Sequence, residues 1–241
     1  LLRWTHPERG IIQPDEIIPL AEQTGLIKPL TEIILKHAIS QCAAWHAAGH
    51  PVSISVNVSV LCLHDDSLTK ALRNYLQQYR LQAEHLVLEI TESDIMVDPI
   101  RAKNILGEID SIGAHISIDD FGTGYSSLAY LKQLPVSEIK IDRSFVMEMD
   151  NDENDKVIVR TIIDLAHNLG LSVVAEGVET DTTLALLETL GCNTVQGYLI
   201  GKPIANTEFM KLLVEKKLSQ NIASPSVTTL NKTFPGKTLK S

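Results

Sequence analysis

At Gly49, Gly113, Gly170 and Gly191 a helical apolar pattern stops at a glycine, and within about five residues a strand-like run begins. This recurrence constrains the fold more than any other feature. Glycine supplies the left-handed turn that ends a helix, and the strand that follows can run parallel to the one before it. Segments 15–24, 30–48, 66–79, 98–112, 126–133, 153–169, 181–190 and 206–217 read as helices. On 30–48 the stripe is Ile33, Ile34, Ala38, Cys42 and Trp45; on 66–79 it is Leu68, Leu72, Tyr75, Leu76 and Tyr79. Strands read at 52–59, 86–92, from His115 into Asp119, and at 138–142, 172–177 and 194–198. Strands alternating with helices over 241 residues define an α/β fold. A β/α barrel fits the length best. The open doubly wound sheet is the alternative, but the chain has no strand followed by Gly-x-Gly-x-x-Gly.

The net charge of −9 argues against a general DNA-binding surface, which is basic, so no DNA partner is expected. It leaves room for a phosphorylated ligand, because divalent cations at an acidic cluster invert the local potential. Cys42, Cys62 and Cys192 lack a CxxC spacing and read as small buried hydrophobes in a reducing compartment. Nothing is long and apolar enough to span a bilayer, so the expected location is cytoplasmic, with any membrane anchor lying upstream in a longer parent. From residue 219 Ser, Thr, Asn, Pro and Lys dominate, which reads as a disordered tail over 219–241 after a domain of 1–218.

The densest chemistry is Ile118-Asp119-Asp120-Phe121-Gly122-Thr123-Gly124. Two adjacent carboxylates do not both ionise easily without a cation nearby. Ordinary turn chemistry also puts Asp-Asp before Gly, so this stretch alone leaves both readings open. The balance comes from other strand ends, where Asn57, Glu89, Lys140, Glu176 and Gln196 stand. In a barrel those ends share one rim. Carboxylates, an amide and a lysine meeting there suit hard divalent cations such as Mg²⁺ or Mn²⁺. Two such ions roughly 3.5–4 Å apart, with Asp119 or Asp120 bridging, flank a phosphodiester and activate water. One by one, Glu89 and Glu176 read as solvated strand ends, Asn57 as a turn residue, and Lys140 as a surface or Schiff-base lysine.

Several runs together resemble the EAL domain of bacterial cyclic di-GMP phosphodiesterases. They are Leu1-Leu2-Arg3-Trp4, Ile18-Pro19-Leu20-Ala21-Glu22, Ser55-Val56-Asn57-Val58-Ser59, Leu88-Glu89-Ile90-Thr91-Glu92, Asp119 through Ser127, Ile139-Lys140-Ile141-Asp142, Ala175-Glu176-Gly177-Val178-Glu179 and Gln196-Gly197-Tyr198-Leu199. The resemblance implies a TIM-like β/α barrel whose first strand is antiparallel, and hydrolysis of cyclic di-GMP to linear pGpG with two Mg²⁺ or Mn²⁺ per site. It implies Asn57, Glu89, Asp119, Asp120 and Glu176 as metal ligands, Asp120 also touching substrate. Lys140, Glu176 and Gln196 become catalytic, Arg3 a phosphate contact, and Glu92 and Glu179 supports for the loop after Asp120. That loop implies a homodimer. The parent is expected to carry an upstream sensor or diguanylate cyclase-like domain. The motif's own Glu-Ala-Leu is expected to finish on Leu1. One metal ligand and the N-terminal strands then precede this chain, and the fragment by itself is expected to be inactive. A catalytically silent receptor or interaction module is the alternative.

Overall fold

Each of the four glycines adopts the left-handed backbone that the turns demand, with φ of 82° at Gly49, 94° at Gly113, 77° at Gly170 and 80° at Gly191. Three of them close their helices in the same way. His50 and Gly49 N–H donate to Trp45 and His46 O, Leu171 and Gly170 to Ala166 and His167, and Cys192 and Gly191 to Leu187 and Glu188. These paired bonds satisfy carbonyls that the last helical turn leaves open. The computed structural model describes residue 2 and residues 4–64, 66–124 and 128–222, apart from the side chains of His64 and of residues 216–222. Arg3, the segment Tyr125–Ser127 and residues 223–241 of the expected tail lie outside the described residues. The chain divides into two compact units, residues 1–116 with 129–136 and residues 117–128 with 137–241.

The first unit opens on an antiparallel hairpin, β1 (Trp4–His6) and β2 (Gly10–Ile12). Its strands are too short for a two-residue alternation to register in the sequence. The turn is held by His6, whose Nδ1 accepts the N–H of Glu8 and of Arg9 at 3.1 and 3.3 Å. Next come α1 (Pro14–Gln23), α2 (Ile27–Ala47), β3 (Ile54–Asn57), α3 (Ser67–Tyr79), β4 (Leu86–Thr91), α4 (Glu92–Val97) and α5 (Pro99–Ile112). Strands β3 and β4 are parallel. The core face of α2 is Ile27, Thr31, Leu35, Ile39 and Cys42, while Ile33 is exposed, so the expected stripe is turned partway round the helix. That helix is apolar on much of its surface, and it packs against α3, whose buried residues include Leu68, Leu72 and Leu76; that packing selects the buried face. The strand expected over 86–92 ends at Thr91, whose hydroxyl accepts the Asp94 N–H and caps α4. β5 (His115–Phe121) begins in this unit, and α6 (Leu128–Leu131) returns to it after Leu128.

The second unit continues β5 and adds β6 (Glu138–Ile141), α7 (Arg143–Glu148), α8 (Glu153–Asn168), β7 (Ser172–Ala175), α9 (Asp181–Leu190), β8 (Thr194–Val195) and α10 (Asn206–Ile222). Strands β5, β6, β7 and β8 pair in that order, all parallel. Helix α8 covers β6 and β7, burying Val159, Ile163 and Ala166 with Ile139, Val173 and Ala175. Among the described residues no helix is long and apolar enough to cross a membrane. Ile139 is fully buried in the middle of this sheet. Ile139→Ala is expected to cost about 2–5 kcal/mol of stability, read as a lower urea midpoint.

Candidate active site

An unbroken strand would send Asp119 and Asp120 to opposite faces, because side chains alternate along it. β5 avoids this with a bulge. Ile118 pairs with Ile139, but the next pair is Phe121 with Ile141, three steps on β5 against two on β6. The surplus residue lets Asp120 adopt φ 52°, a left-handed backbone that Asp tolerates better than most side chains. Asp119 Oδ1 accepts the Asp120 N–H at 3.1 Å and steadies the kink. Gly122, at φ 101°, turns the chain away immediately afterwards. Both carboxylates consequently reach the same place.

Glu176, the residue after β7, joins them. One carboxylate oxygen from each of Asp119, Asp120 and Glu176 lies within 4.8 Å of the others. Lys140 of β6 is 4% exposed, and its Nζ sits 2.9 Å from Asp119 Oδ1 and 2.7 Å from Glu176 Oε1. A buried ammonium is tolerated when it is paired in this way. The lysine thus faces inward, and the surface-lysine reading falls. Three carboxylates against one ammonium leave a surplus of negative charge. The Asp120 carboxyl is pushed above its usual range by burial first, then by the charges of Asp119 and Asp142, with Lys140 pulling the other way. An all-oxygen donor set with that surplus fits a hard divalent cation. Asp142 had no role in the sequence reading. It caps α7 by accepting the Ser144 N–H at 2.9 Å and the Ser144 hydroxyl. Burial works to raise its carboxyl, but bonds from Ser144 and Asp120 and the Arg143 charge outweigh it, and the net shift is downward. Its signal in sequence was its place two residues after Lys140.

Gln196 directly follows β8. Its side chain is exposed, while its N–H donates to Ala175 O at 2.8 Å and its O accepts the Val178 N–H at 3.0 Å. A Cβ on Gly197 would lie 2.1 Å from Val178 O, so only glycine lets this turn lie against the loop that begins with Glu176. The strand expected to reach Tyr198 therefore stops at Val195.

In the first unit, Asn57 and Glu89 face each other across β3 and β4, and Asn57 Nδ2 donates to Glu89 Oε2 at 3.1 Å. Glu89 is 8% exposed, so it is no solvated strand end. Glu92 is buried at the start of α4, whereas Glu179 is exposed. Sequence reasoning also missed Asp94, whose carboxyl is raised by burial despite bonds from Thr91 and the Val60 backbone.

Parallel strands with carboxylates and a buried lysine at their C-terminal ends define a metal-capable α/β site. The EAL domain family matches residues 1–203, and the chain belongs to that family, with its TIM-like β/α fold. It is 47% identical over 205 residues to the bifunctional diguanylate cyclase/cyclic di-GMP phosphodiesterase MucR of Pseudomonas aeruginosa, covering 85% of this chain and 30% of that protein. It is 40% identical over 204 residues to the cyclic di-GMP phosphodiesterase PA2567 of the same organism, covering 85% of this chain and 35% of that one. The solved PaMucR phosphodiesterase in complex with c-di-GMP superposes with a TM-score of 0.83 at 46% identity, over 87% of this chain and 85% of that one. The chain spans about a third of the length of these two curated relatives.

Because the folded state holds a proton on Asp120 more tightly than the unfolded state does, Asp120 loses stabilising effect as pH rises from 3.8 through its folded value. In EDTA, Asp120→Asn is therefore expected to raise the melting temperature at pH 7, with the gain shrinking as pH falls toward 3.8. Gly197→Ala should lower it at every pH, by steric displacement of Val178.

Proposed function

We propose that this chain is the catalytic domain of a cyclic di-GMP phosphodiesterase, opening the cyclic dinucleotide to linear pGpG inside the bacterial cytoplasm. The convergence of Asp119, Asp120 and Glu176 on one another, with Lys140 Nζ between two of them, is the observation that carries the reading. The likeness to cyclic di-GMP phosphodiesterases supports it. Asp119, Asp120, Glu176, Asn57 and Glu89 are the residues that would hold two Mg²⁺ or Mn²⁺ ions. When bound, such ions supply Lewis acidity at the phosphoryl oxygens and acidify a water molecule.

The chain's own groups do the rest. Lys140 orients the attacking water and offsets charge on the phosphoryl oxygens, while Glu176 keeps its ammonium aimed. The exposed Gln196 amide holds the same water from the turn after β8. Water oxygen bonds to phosphorus, the P–O3′ bond breaks, and the products are a 3′-hydroxyl and a 5′-phosphate. Asp120 also contacts substrate, Arg3 takes a ligand phosphate, and Glu92 and Glu179 support the loop after Asp120. A homodimer formed through that loop and a sensor or cyclase-like domain upstream complete the proposal.

Incubating the full-length protein with cyclic di-GMP and Mg²⁺ or Mn²⁺ is expected to yield pGpG by chromatography, and EDTA to stop it. Lys140→Ala should lower kcat by about 10²–10⁴-fold. Tight nucleotide binding without any pGpG would instead make the domain a receptor.

A further inference from the structure

Asp150, two residues past the end of α7, takes no part in the chemistry above. Its Oδ2 accepts the Thr180 hydroxyl at 3.0 Å and the Thr183 hydroxyl at 2.9 Å, both at the start of α9. Thr180 in turn caps that helix by accepting the Thr183 N–H at 3.0 Å. A carboxylate beside a helix N-terminus is ordinary stabilisation. Asp150 departs from it at its other oxygen, for Oδ1 is shut off from solvent and has no hydrogen-bond partner among the described residues. An oxygen buried in that way costs stability, so part of what the two hydroxyl bonds contribute is lost again. What the carboxylate does beyond stability is fix a position. Glu176 stands four residues before Thr180, and the segment between them has little slack. Glu176 N–H donates to Ile141 O at 3.2 Å, and Val178 is fully buried. A Cβ on Gly177 would lie 2.6 Å from Arg143 Cβ, so the segment runs directly over the first residue of α7. Asp150 grips its far end. A shift of Thr180 is therefore passed back to Glu176, whose Oε1 lies 2.7 Å from Lys140 Nζ.

We propose that Asp150 is a positioning residue for Glu176: by tying the start of α9 to the end of α7, it sets where the Glu176 carboxylate stands beside Lys140. The proposal rests on the reading of Glu176 as a metal ligand and deepens it. Groups that support a metal ligand fix its direction, and a small misplacement is felt both in metal affinity and in rate. Asp150 itself touches no reacting atom. Its effect falls on the step that Glu176 serves and leaves the affinity for the nucleotide nearly unchanged.

The test compares wild type, Asp150→Ala, Asp150→Asn and Leu184→Ala as full-length proteins. Leu184→Ala removes buried packing from α9 and leaves both threonine bonds to Asp150 in place. Mn²⁺ affinity is measured by calorimetry without nucleotide, kcat and KM for cyclic di-GMP in Mg²⁺, and the melting temperature in EDTA. Asp150→Ala is expected to weaken Mn²⁺ binding about tenfold, the low end for losing a group that supports a metal ligand. Its kcat should fall by a similar factor while KM stays within about twofold. Asp150→Asn keeps an oxygen for the two hydroxyls and should return Mn²⁺ affinity and kcat to within about threefold of wild type. Leu184→Ala should melt lower with unchanged Mn²⁺ affinity. Should Asp150→Ala not fold, Thr183→Val, which removes one of the two bonds, takes its place with an expected loss of about threefold. Unchanged Mn²⁺ affinity in Asp150→Ala overturns the proposal. So does an equal loss in Leu184→Ala, which marks a general loosening of α9, or a failure of Asp150→Asn to recover. Wild type that binds Mn²⁺ but yields no pGpG overturns the phosphodiesterase reading alone, and the Mn²⁺ affinities still decide the role of Asp150. Wild type that binds no Mn²⁺ overturns both.

Discussion

A buried ammonium cannot stand alone, and the candidate active site depends on how this one is satisfied. Lys140 enters the interior from the middle of the second unit's sheet, and Asp119 and Glu176 close on it from the neighbouring strands. Moving a lysine out of water is costly, and only paired carboxylates offset it. The three strands must therefore hold their register. Ile118 opposite Ile139, Phe121 opposite Ile141, Ile139 opposite Val173 and Ile141 opposite Ala175 are apolar pairs that hold it. Burial of those residues positions the charges. Lys140 Nζ pairs most closely with Asp119 and Glu176, while its charge only partly offsets the burial and repulsion acting on Asp120.

That carboxylate links local backbone to chemistry. The bulge in β5 costs regular pairing and sets Asp120 in a sparsely populated conformation. Such conformations persist where the surroundings over-determine them, and they cluster at working sites. Here the return is a second carboxylate on the same side as the first. Asp142 adds to the crowding from the start of α7, so Asp120 binds its proton tightly when no metal ion competes for it. A divalent cation relieves that repulsion.

Much of this was legible in the residues. The glycine-ended helices and the apolar runs placed nearly every long element, and the α/β class followed, because local chain stiffness and hydrophobic period act over a few residues. The family came instead from the resemblance of particular runs such as Leu88-Glu89-Ile90-Thr91-Glu92. What escaped has a common cause. The β1–β2 hairpin depends on a His6 ring accepting two backbone N–H groups. The buried face of α2 was decided by its contact with α3. Glu92 was read as a strand end and starts a helix, because Thr91 is an N-cap only once Asp94 comes round to meet it. Asp94 and Asp142 carried no pattern of their own, since burial is what perturbs them.

The amino-acid sequence alone determined which groups this protein brings to a reaction: carboxylates, an amide and a lysine at the ends of strands, with glycines where the backbone has to reverse. Tertiary structure alone decided that Lys140 points inward between Asp119 and Glu176, and that Asp119 and Asp120 share a side despite adjacent positions in a strand. The reason is physical. Side-chain identity is a property of one residue, whereas direction in a sheet depends on register with a partner strand, and a one-residue bulge is invisible until that partner is in place.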